Sequence, residues 1–421
     1  MPRDVLLITT AFPSESVTEE VFVTPDVEAL SREFDRVIIA PLLLKGNAKK
    51  INIPNVTVDY TIARHIFTRF KPSKLPYLLS PYVISKYRKI AKESRSFKQF
   101  LDKSIYCLNV ATHRKMLEQI TRRHNLDQKS TVYYTFWFDY ATAALSLMPS
   151  CVYVSRAHGY DVYDTRYGKY RLGPVRDYTL SHIKALYPVS RAGLEYLDNL
   201  YPGHREKMHL RLLGSEKKDK DFITRCHRAQ DKAITILSTA RVSPEKRVLK
   251  NLDFVKNLAS ARKDIAVKWI HVGDGPQMEE LRRQSTTGSL PSNLKIELLG
   301  NLPNDEIHRI YHEEIIDWTL LLSESEGTPI AVCESFSYGV PVIATMVGGV
   351  PDMFTPGTGV LIAPDASSEE IVKAVNPHIN DYNTFLQMKA AAHGRWKDKF
   401  NSSELRQKFA KELAALIDSR S

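Results

Sequence analysis

Two glutamates in the second half of the chain, Glu326 and Glu334, have seven residues between them and could hold two parts of one extended ligand. Glu326 follows a predicted strand, Asp317–Leu322, at the edge where open α/β sheets bind ligands. Glu334 lies roughly 7.5 Å along the predicted helix Ile330–Tyr338, at about 1.5 Å per residue. The spacing alone is equally compatible with two surface glutamates that flank a loop.

The elements around the two glutamates predict an anion site between them. Pro329 has its φ preset for the first turn of a helix, and Gly339 ends that helix. The N–H groups of Thr328, Ile330 and Ala331 stand at the helix start, where the backbone donors lack helical partners and the dipole favours negative charge.

The patterns E-G-T-P-x-x-x-x-E, S-x-G-V-P-V-I-A and V-G-G-V-P-D together resemble the signature of the retaining glycosyltransferases of family 4. This resemblance implies an α/β chain with the GT-B fold: two Rossmann-like doubly wound domains facing across a cleft, with the C-terminal helix crossing back to the N-terminal domain. It implies that Glu326 contacts the donor sugar and acts in catalysis, and that Glu334 contacts the ribose of the nucleotide. The donor-site residues implied around them are Gly327, Thr328, Pro329 and Ile330.

Two cations follow the predicted strand Ala233–Thr239, in a segment S-T-A-R-V-S-P-E-K that resembles the family element G-R-L-x-x-x-K. The resemblance implies that Arg241 and Lys246 bind the donor diphosphate, and a guanidinium fork and an ammonium suit that charge. Ala240 departs from the glycine that is usual in the family. The segments H-V-G-D-G-P and L-G-N-L-P also resemble family elements and add Gly273 and Leu302 to the donor site.

In the first half, the segment H-G-Y-D follows a predicted strand and resembles family members that build bacterial exopolysaccharides. A lone histidine is more often structural, but the resemblance implies that His158 lies near the reacting sugar and is catalytic. Tyr160 and Asp161 are expected acceptor contacts. The segment F-P-S-E-S…E-E-V-F-V resembles F-P-x-x-S-E-T-F of the same enzymes, and Glu19 and Glu20 join the expected acceptor contacts.

The net charge of +11 is concentrated between residues 64 and 124, where fifteen Lys and Arg residues stand against three acids. Aromatic residues alternate with these cations. Such a segment is compatible with a membrane surface, with a solvated helical face or with a nucleic-acid patch. We favour contact with an anionic membrane and expect no nucleic-acid partner.

The length of 421 residues predicts more than one domain. We expect an N-terminal acceptor-binding domain at 1–213, a linker at 214–232, a donor-binding domain at 233–402 and a returning helix at 403–421. Four scattered cysteines suit a reducing cytoplasm, and the basic segment adds the inner face of the cell membrane as an expected location.

The resulting hypothesis is a retaining glycosyltransferase that moves a sugar from a nucleotide-diphosphate sugar to a glycan or lipid-linked acceptor in cell-surface polysaccharide biosynthesis. A nucleoside diphosphate is a good leaving group, so cations suffice, and no metal or other cofactor is expected. A phosphorylase would need a pyridoxal lysine, for which the sequence gives no case. The alternative from another class is a non-catalytic sugar-nucleotide-binding protein or a membrane-associated scaffold of the same fold.

Overall fold

The computed structural model describes residues 2–15, 19–66, 84–85, 90–92, 94, 96–148, 150–163, 176–216, 223, 231–287 and 290–418. The chain forms two compact units: Met1–Arg211 together with Arg406–Ser421, and Leu212–Leu405. Most of the predicted linker 214–232 lies outside the described residues, as does much of the basic segment between 67 and 95.

The first unit contains a six-stranded parallel sheet in the order β3-β2-β1-β4-β5-β6. Its strands are short apolar runs, and β1, β4, β5 and β6 are buried along their whole length, as expected for a parallel sheet covered on both faces. The strands are β1 Asp4–Thr9, β2 Arg36–Pro41, β3 Val56–Val58, β4 Thr131–Thr135, β5 Val152–Ala157 and β6 Ala185–Pro188.

The helices of this unit mostly follow the predicted alternation of strands and helices. They are α1 Glu20–Glu33, α2 Thr61–Ile66, α3 Phe97–Arg123, α4 Tyr140–Leu145, α5 Gly159–Val162, α6 Arg176–His182 and α7 Arg191–Leu200. Pro25 lies inside α1, and the Glu19 carbonyl accepts the first helical hydrogen bonds from Phe22 and Val23. After α7, Met208 pairs with Leu186 of β6 through a single bridge.

The second unit has the same kind of sheet, in the order β12-β11-β10-β7-β8-β9. The strands are β7 Ala233–Thr239, β8 Ala266–Val272, β9 Leu294–Gly300, β10 Trp318–Leu321, β11 Val342–Thr345 and β12 Gly359–Ile362. The helices are α8 Val248–Ala261, α9 Met278–Thr286, α10 Asn304–Glu313, α11 Ile330–Ser337, α12 Val350–Met353, α13 Ser368–Asn380 and α14 Tyr382–Lys399.

The last helix, α15 Ser402–Asp418, joins the first unit from Arg406 onward. Phe409, Leu413 and Ile417 pack into the hydrophobic core beneath the first sheet. The C-terminal helix therefore returns to the N-terminal unit, as the resemblance implied.

Each sheet reverses its strand order once, between β1 and β4 in the first unit and between β7 and β10 in the second. The loops that leave neighbouring strands on the two sides of such a switch point diverge, which opens a crevice at the carboxyl edge of the sheet. Both candidate sites lie in these loops. Among the described residues, no helix combines the length and hydrophobicity that a membrane span requires.

Candidate functional site

The Lys246–Glu326 ion pair spans the switch point of the second sheet. Lys246 follows β7 and Glu326 follows β10, and the ammonium donates to both carboxylate oxygens, at 2.7 and 2.8 Å. Glu326 is only 5% exposed, whereas Lys246 is half-buried. The structure thus brings together a predicted sugar contact and a predicted phosphate contact, and Arg241 stands exposed in the same loop as Lys246.

The backbone at Glu326 is held by the loop after β11. Gly348 has φ +52°, and a Cβ there would meet the carbonyl oxygen of Glu326 at 1.9 Å. The N–H of Gly349 donates to the same carbonyl oxygen at 3.3 Å. The pattern V-G-G-V-P-D is therefore explained locally, because only glycine lets this loop approach the Glu326 backbone so closely.

A second close approach occurs at Gly273, which follows β8. Its φ is +140°, and a Cβ would meet the carbonyl oxygen of Ala240 at 1.9 Å. Gly273 therefore sets the path of the loop that carries Arg241. Ala240, the departure from the family pattern, leaves this approach intact because Gly273 provides the space. Leu302 lies farther along and packs against a small apolar cluster that includes Tyr338.

The start of α11 lies between the two glutamates in sequence. Pro329 is the N-cap of α11, directly before the first helical residue Ile330. Its carbonyl oxygen accepts a hydrogen bond from the N–H of Val332. Gly327, Thr328 and Ile330 are partly exposed.

Glu334, inside α11, is almost fully buried and accepts a hydrogen bond from Asn304 Nδ2 at 2.8 Å. Burial raises the pKa of Glu334 to about 7, and the Asn304 hydrogen bond opposes this rise. Asn304 is the first residue of α10 and was not predicted as a site residue. Its position directly after the L-G-N-L-P segment is the signal that could have indicated it.

In the first unit, Glu19 closes the switch point between β1 and β4. Its carboxylate accepts from the N–H groups of Thr10, Ala11 and Phe12, at 2.8, 2.7 and 3.1 Å. It also accepts from the indole Nε1 of Trp137 at 2.6 Å. A buried carboxylate with four donors fixes the two loops to each other. The adjacent Glu20 instead pairs with Lys49 at the surface.

His158, which follows β5, is buried beside the rings of Phe136 and Trp137, at centroid distances of 4.9 and 4.5 Å. Its Nε2 lies 3.0 Å from the carbonyl oxygen of Phe136. Burial, followed by the neighbouring Arg156 cation, lowers the pKa of His158 to about 3. The imidazole is therefore neutral at physiological pH, with its proton on Nε2, because a carbonyl oxygen only accepts.

Asp161, in α5, is buried and holds loop backbone. Its carboxylate accepts from the N–H groups of His158 and Phe138, at 2.6 and 2.7 Å. Burial raises the pKa of Asp161 to about 7, against the opposing effect of these hydrogen bonds and of Arg176. Tyr160, one residue earlier, is 44% exposed and meets the Trp137 ring edge-on at 6.3 Å.

A buried charge network lies behind His158. Asp26 accepts from Tyr134 at 2.8 Å and pairs with Arg156 and with Arg406 of α15. Burial alone would raise the pKa of Asp26, but the two guanidinium groups keep it below its ordinary value. The network attaches the returning helix to β5, two residues before the histidine.

No group of three or more His, Cys, Asp or Glu side chains among the described residues is arranged to hold a metal ion. The loops that leave β7 and β10 carry the cations Arg241 and Lys246 and the carboxylate of Glu326. They can hold an anion and hydroxyl groups of one ligand.

The chain is similar to known proteins in sequence and in fold. Residues 219–395 match the model of the family described as Glycosyl transferases group 1. The sulfoquinovosyl transferase SQD2 of Arabidopsis thaliana is 29% identical over 141 residues, covering 32% of this chain and 26% of that protein. A lipopolysaccharide 1,2-N-acetylglucosaminetransferase of Salmonella typhimurium is 24% identical over 193 residues, covering 44% of this chain and 49% of that protein. The chain thus spans less than half the length of either curated relative.

The fold as a whole is similar to solved structures. The structure of Anabaena Alr3699/HepE in complex with UDP and glucose superposes with a TM-score of 0.66 at 15% identity, covering 98% of this chain and 100% of that one. The predicted α/β class and GT-B fold are confirmed, and the match to the glycosyltransferase family model lies within the second unit.

Proposed function

We propose that the protein is a retaining glycosyltransferase of family 4 that uses a nucleotide-diphosphate sugar as donor. The observation that carries the proposal is the Lys246–Glu326 pair across the second switch point, in a unit that matches a glycosyltransferase family model. In this proposal Glu326 binds the donor sugar and Lys246 binds the diphosphate. The two side chains then lie on either side of the bond that is broken. Anabaena Alr3699/HepE, which shares the fold, was solved with UDP and glucose, and this supports a uridine nucleotide as the first donor to test.

In the proposed complex, Glu334 accepts hydrogen bonds from the ribose hydroxyls and Glu326 from hydroxyls of the donor sugar. Lys246 and Arg241 bind the diphosphate together with the first turn of α11. The start of α11 lies between the two glutamates in the chain, and this order supports a diphosphate bound between the ribose and the sugar.

The chemistry that follows is departure of the diphosphate, stabilised by fixed cations and backbone dipoles. The acceptor hydroxyl attacks the anomeric carbon from the side that the diphosphate leaves, and its proton passes to the departing phosphate oxygen. His158 is neutral, so in this proposal it contributes through a hydrogen bond near the reacting sugar and not as a charged acid. We expect transfer to proceed without added metal or other cofactor.

We further propose a glycan or lipid-linked oligosaccharide as acceptor, in cell-surface polysaccharide biosynthesis. A curated relative named lipopolysaccharide 1,2-N-acetylglucosaminetransferase supports this class. Tyr160 remains a proposed acceptor contact. Glu19 and Asp161 have their carboxylates occupied by the chain itself, so we assign them to holding the acceptor loops.

A cytoplasmic protein acting at the inner face of the cell membrane would fit this acceptor. The first part of α3 supports the idea, since Phe97, Leu101 and Ile105 are exposed at spacings of four residues beside the cation Lys98. Phe97 is 79% exposed. Binding to anionic liposomes should fall steeply as salt rises, and the double variant Phe97→Glu, Leu101→Glu should bind at most weakly. Equal binding by variant and parent would remove the membrane from the proposal.

The test of the main proposal is incubation with radiolabelled sugar nucleotides, beginning with UDP-glucose, and analysis of the products. Release of UDP with transfer or hydrolysis of the sugar supports an enzyme. Tight binding of intact donor without turnover, across a panel of glycan acceptors, would favour the non-catalytic sugar-nucleotide-binding alternative. A retained α-configuration in the product separates the retaining from the inverting mechanism.

A further inference from the structure

Trp137 has no role in the function proposed so far, although it lies at the centre of the first switch point. It follows β4 by two residues, and its indole N–H is held by the Glu19 carboxylate at 2.6 Å. Its ring contacts His158 at 4.5 Å and Phe136 at 5.7 Å. The indole is therefore fixed on one side by a buried charge and on the other by buried rings.

Trp137 is a partly exposed residue, which distinguishes it from the other three tryptophans of this chain. Trp269, Trp318 and Trp396 are fully buried in the second unit, and only Trp137 keeps contact with solvent. Tyr160 stands next to it at 6.3 Å with the rings 80° apart. The two rings stand nearly at a right angle and form an aromatic corner, with His158 packed against Trp137.

We infer that Trp137 and Tyr160 bind the terminal sugar ring of the acceptor, and that Glu19 is a positioning residue that holds the indole for this contact. One face of many pyranose rings carries only C–H groups, which are weakly positive and suit the negative face of an aromatic ring. Tryptophan offers the largest such face, and loss of rotational freedom is small because Glu19 already orients it. The inference rests on the proposed glycosyltransferase function and adds the acceptor-binding surface to it.

Sugar binding to the corner is tested without nucleotide and without turnover. The full chain is labelled with 5-fluorotryptophan and its four resonances are followed by ¹⁹F NMR, the Trp137 signal being assigned with Trp137→Phe. The probes are the methyl glycosides of glucose, galactose and N-acetylglucosamine, with glycerol as a polyol that lacks a C–H face. We expect at least one glycoside to shift the Trp137 resonance while the three buried tryptophans stay unchanged. No shift with any glycoside, or an equal shift with glycerol, would overturn the inference.

A matched pair of variants tests the second wall of the corner. Tyr160→Leu and Tyr178→Leu remove tyrosines of equal exposure, 44% and 43%, from the same unit. Tyr160→Leu should weaken the glycoside-induced shift about three- to tenfold in apparent affinity, the range that one aromatic contact is worth. Tyr178→Leu should leave it unchanged. Equal effects of the two variants would contradict a specific corner.

The role of Glu19 is separated from simple stability by its conservative variant. Glu19→Gln keeps one acceptor oxygen, and it should move the Trp137 resonance before any sugar is added and weaken the glycoside response. UDP affinity should stay at the parent value in the Trp137 and Tyr160 variants. If the parent protein does not bind UDP but still responds to a glycoside, the proposed donor site is refuted and the sugar-binding corner is not. Failure of the proposed function and failure of this inference are therefore distinguishable.

Discussion

Both sheets place a buried glutamate across their switch point, but the two glutamates have different partners. Glu19 accepts only neutral N–H groups, three from backbone and one from an indole. Glu326 accepts from the ammonium of Lys246, which is half-buried at the end of a flexible side chain. Backbone donors cannot leave their carboxylate without moving a loop, whereas a lysine can turn toward an incoming anion. The Glu19 site thus has a fixed structural role, whereas the Lys246–Glu326 ion pair can rearrange to bind an anionic ligand.

The largest expected effect is on the free energy of unfolding, which should respond differently to the loss of Glu19 and of Glu326. Glu19→Ala leaves four donors without their partner, and since each buried unpaired donor costs about 1–3 kcal/mol, the free energy of unfolding should fall by about 3 kcal/mol or more. Glu326→Ala should cost less, about 1 kcal/mol, because Lys246 can hydrate. Chemical denaturation measures both, and Glu20→Ala is the surface control. A larger loss at Glu326 than at Glu19 would contradict the comparison.

The next effect concerns the two cations proposed to bind the diphosphate. Lys246→Ala and Arg241→Ala should each weaken the affinity for UDP about 10- to 100-fold, since a hydrogen bond to a charged group is worth about 1.5–3 kcal/mol. Calorimetry measures this. Lys268→Ala removes another ion-paired lysine of the same unit, bound to Glu297 and Glu314, and should leave the affinity unchanged. Unchanged affinity in both site variants would refute the phosphate assignment.

The two donor-site glutamates should differ in what they recognise. Glu334→Gln should lower the affinity for free UDP severalfold, because it weakens the hydrogen bonds to the ribose and a hydrogen bond is worth about 1 kcal/mol. Glu326→Gln should keep the affinity for UDP within about twofold, because this residue contacts the sugar, and it should depress transfer. Calorimetry and initial rates measured on the same protein samples distinguish them. The reverse pattern would mean that the sugar and ribose assignments are exchanged.

A smaller effect is the pH dependence of stability at Glu334. Its carboxyl ordinarily ionises near 4.5, but burial raises its pKa in the folded protein to about 7. Between these values the folded chain holds a proton that the unfolded chain has released, so the free energy of unfolding falls as pH rises through this window. Glu334→Gln should remove this part of the fall, measured by denaturation at several pH values. Asp161 shifts in the same direction and contributes equally to parent and variant.

The smallest effect is expected at Ala240. Because Gly273 already provides the close approach to this loop, Ala240→Gly should change UDP affinity less than about twofold, equivalent to a few tenths of a kcal/mol. Gly273→Ala is the contrasting variant, since its added Cβ overlaps the Ala240 carbonyl, and it should weaken UDP binding. Equal behaviour of the two variants would show that the loop does not depend on this contact.

The sequence predicted the strand and helix around each donor-site glutamate because apolar runs, Pro329 and Gly339 act locally. It predicted Arg241 and Lys246 only through resemblance. Residues joined by long-range contacts were missed: Asn304 lies 30 residues from Glu334, and Trp137 lies 118 residues from Glu19. The pairing of strands that are distant in sequence brings such residues together. The spacing of residues within one segment does not predict which strands pair.

The return of α15 to the first unit has a consequence for synthesis of the chain. Phe409 and Leu413 complete the core of that unit, and Arg406 is one of the two cations that pair with the buried Asp26. A ribosome delivers these residues only after the whole second unit has been made. The second unit can therefore fold during translation as a continuous segment, while the first waits with an incomplete core and with Asp26 paired to Arg156 but not to Arg406. The N-terminal half of the chain is then the part that needs protection from aggregation until residues 406–418 arrive.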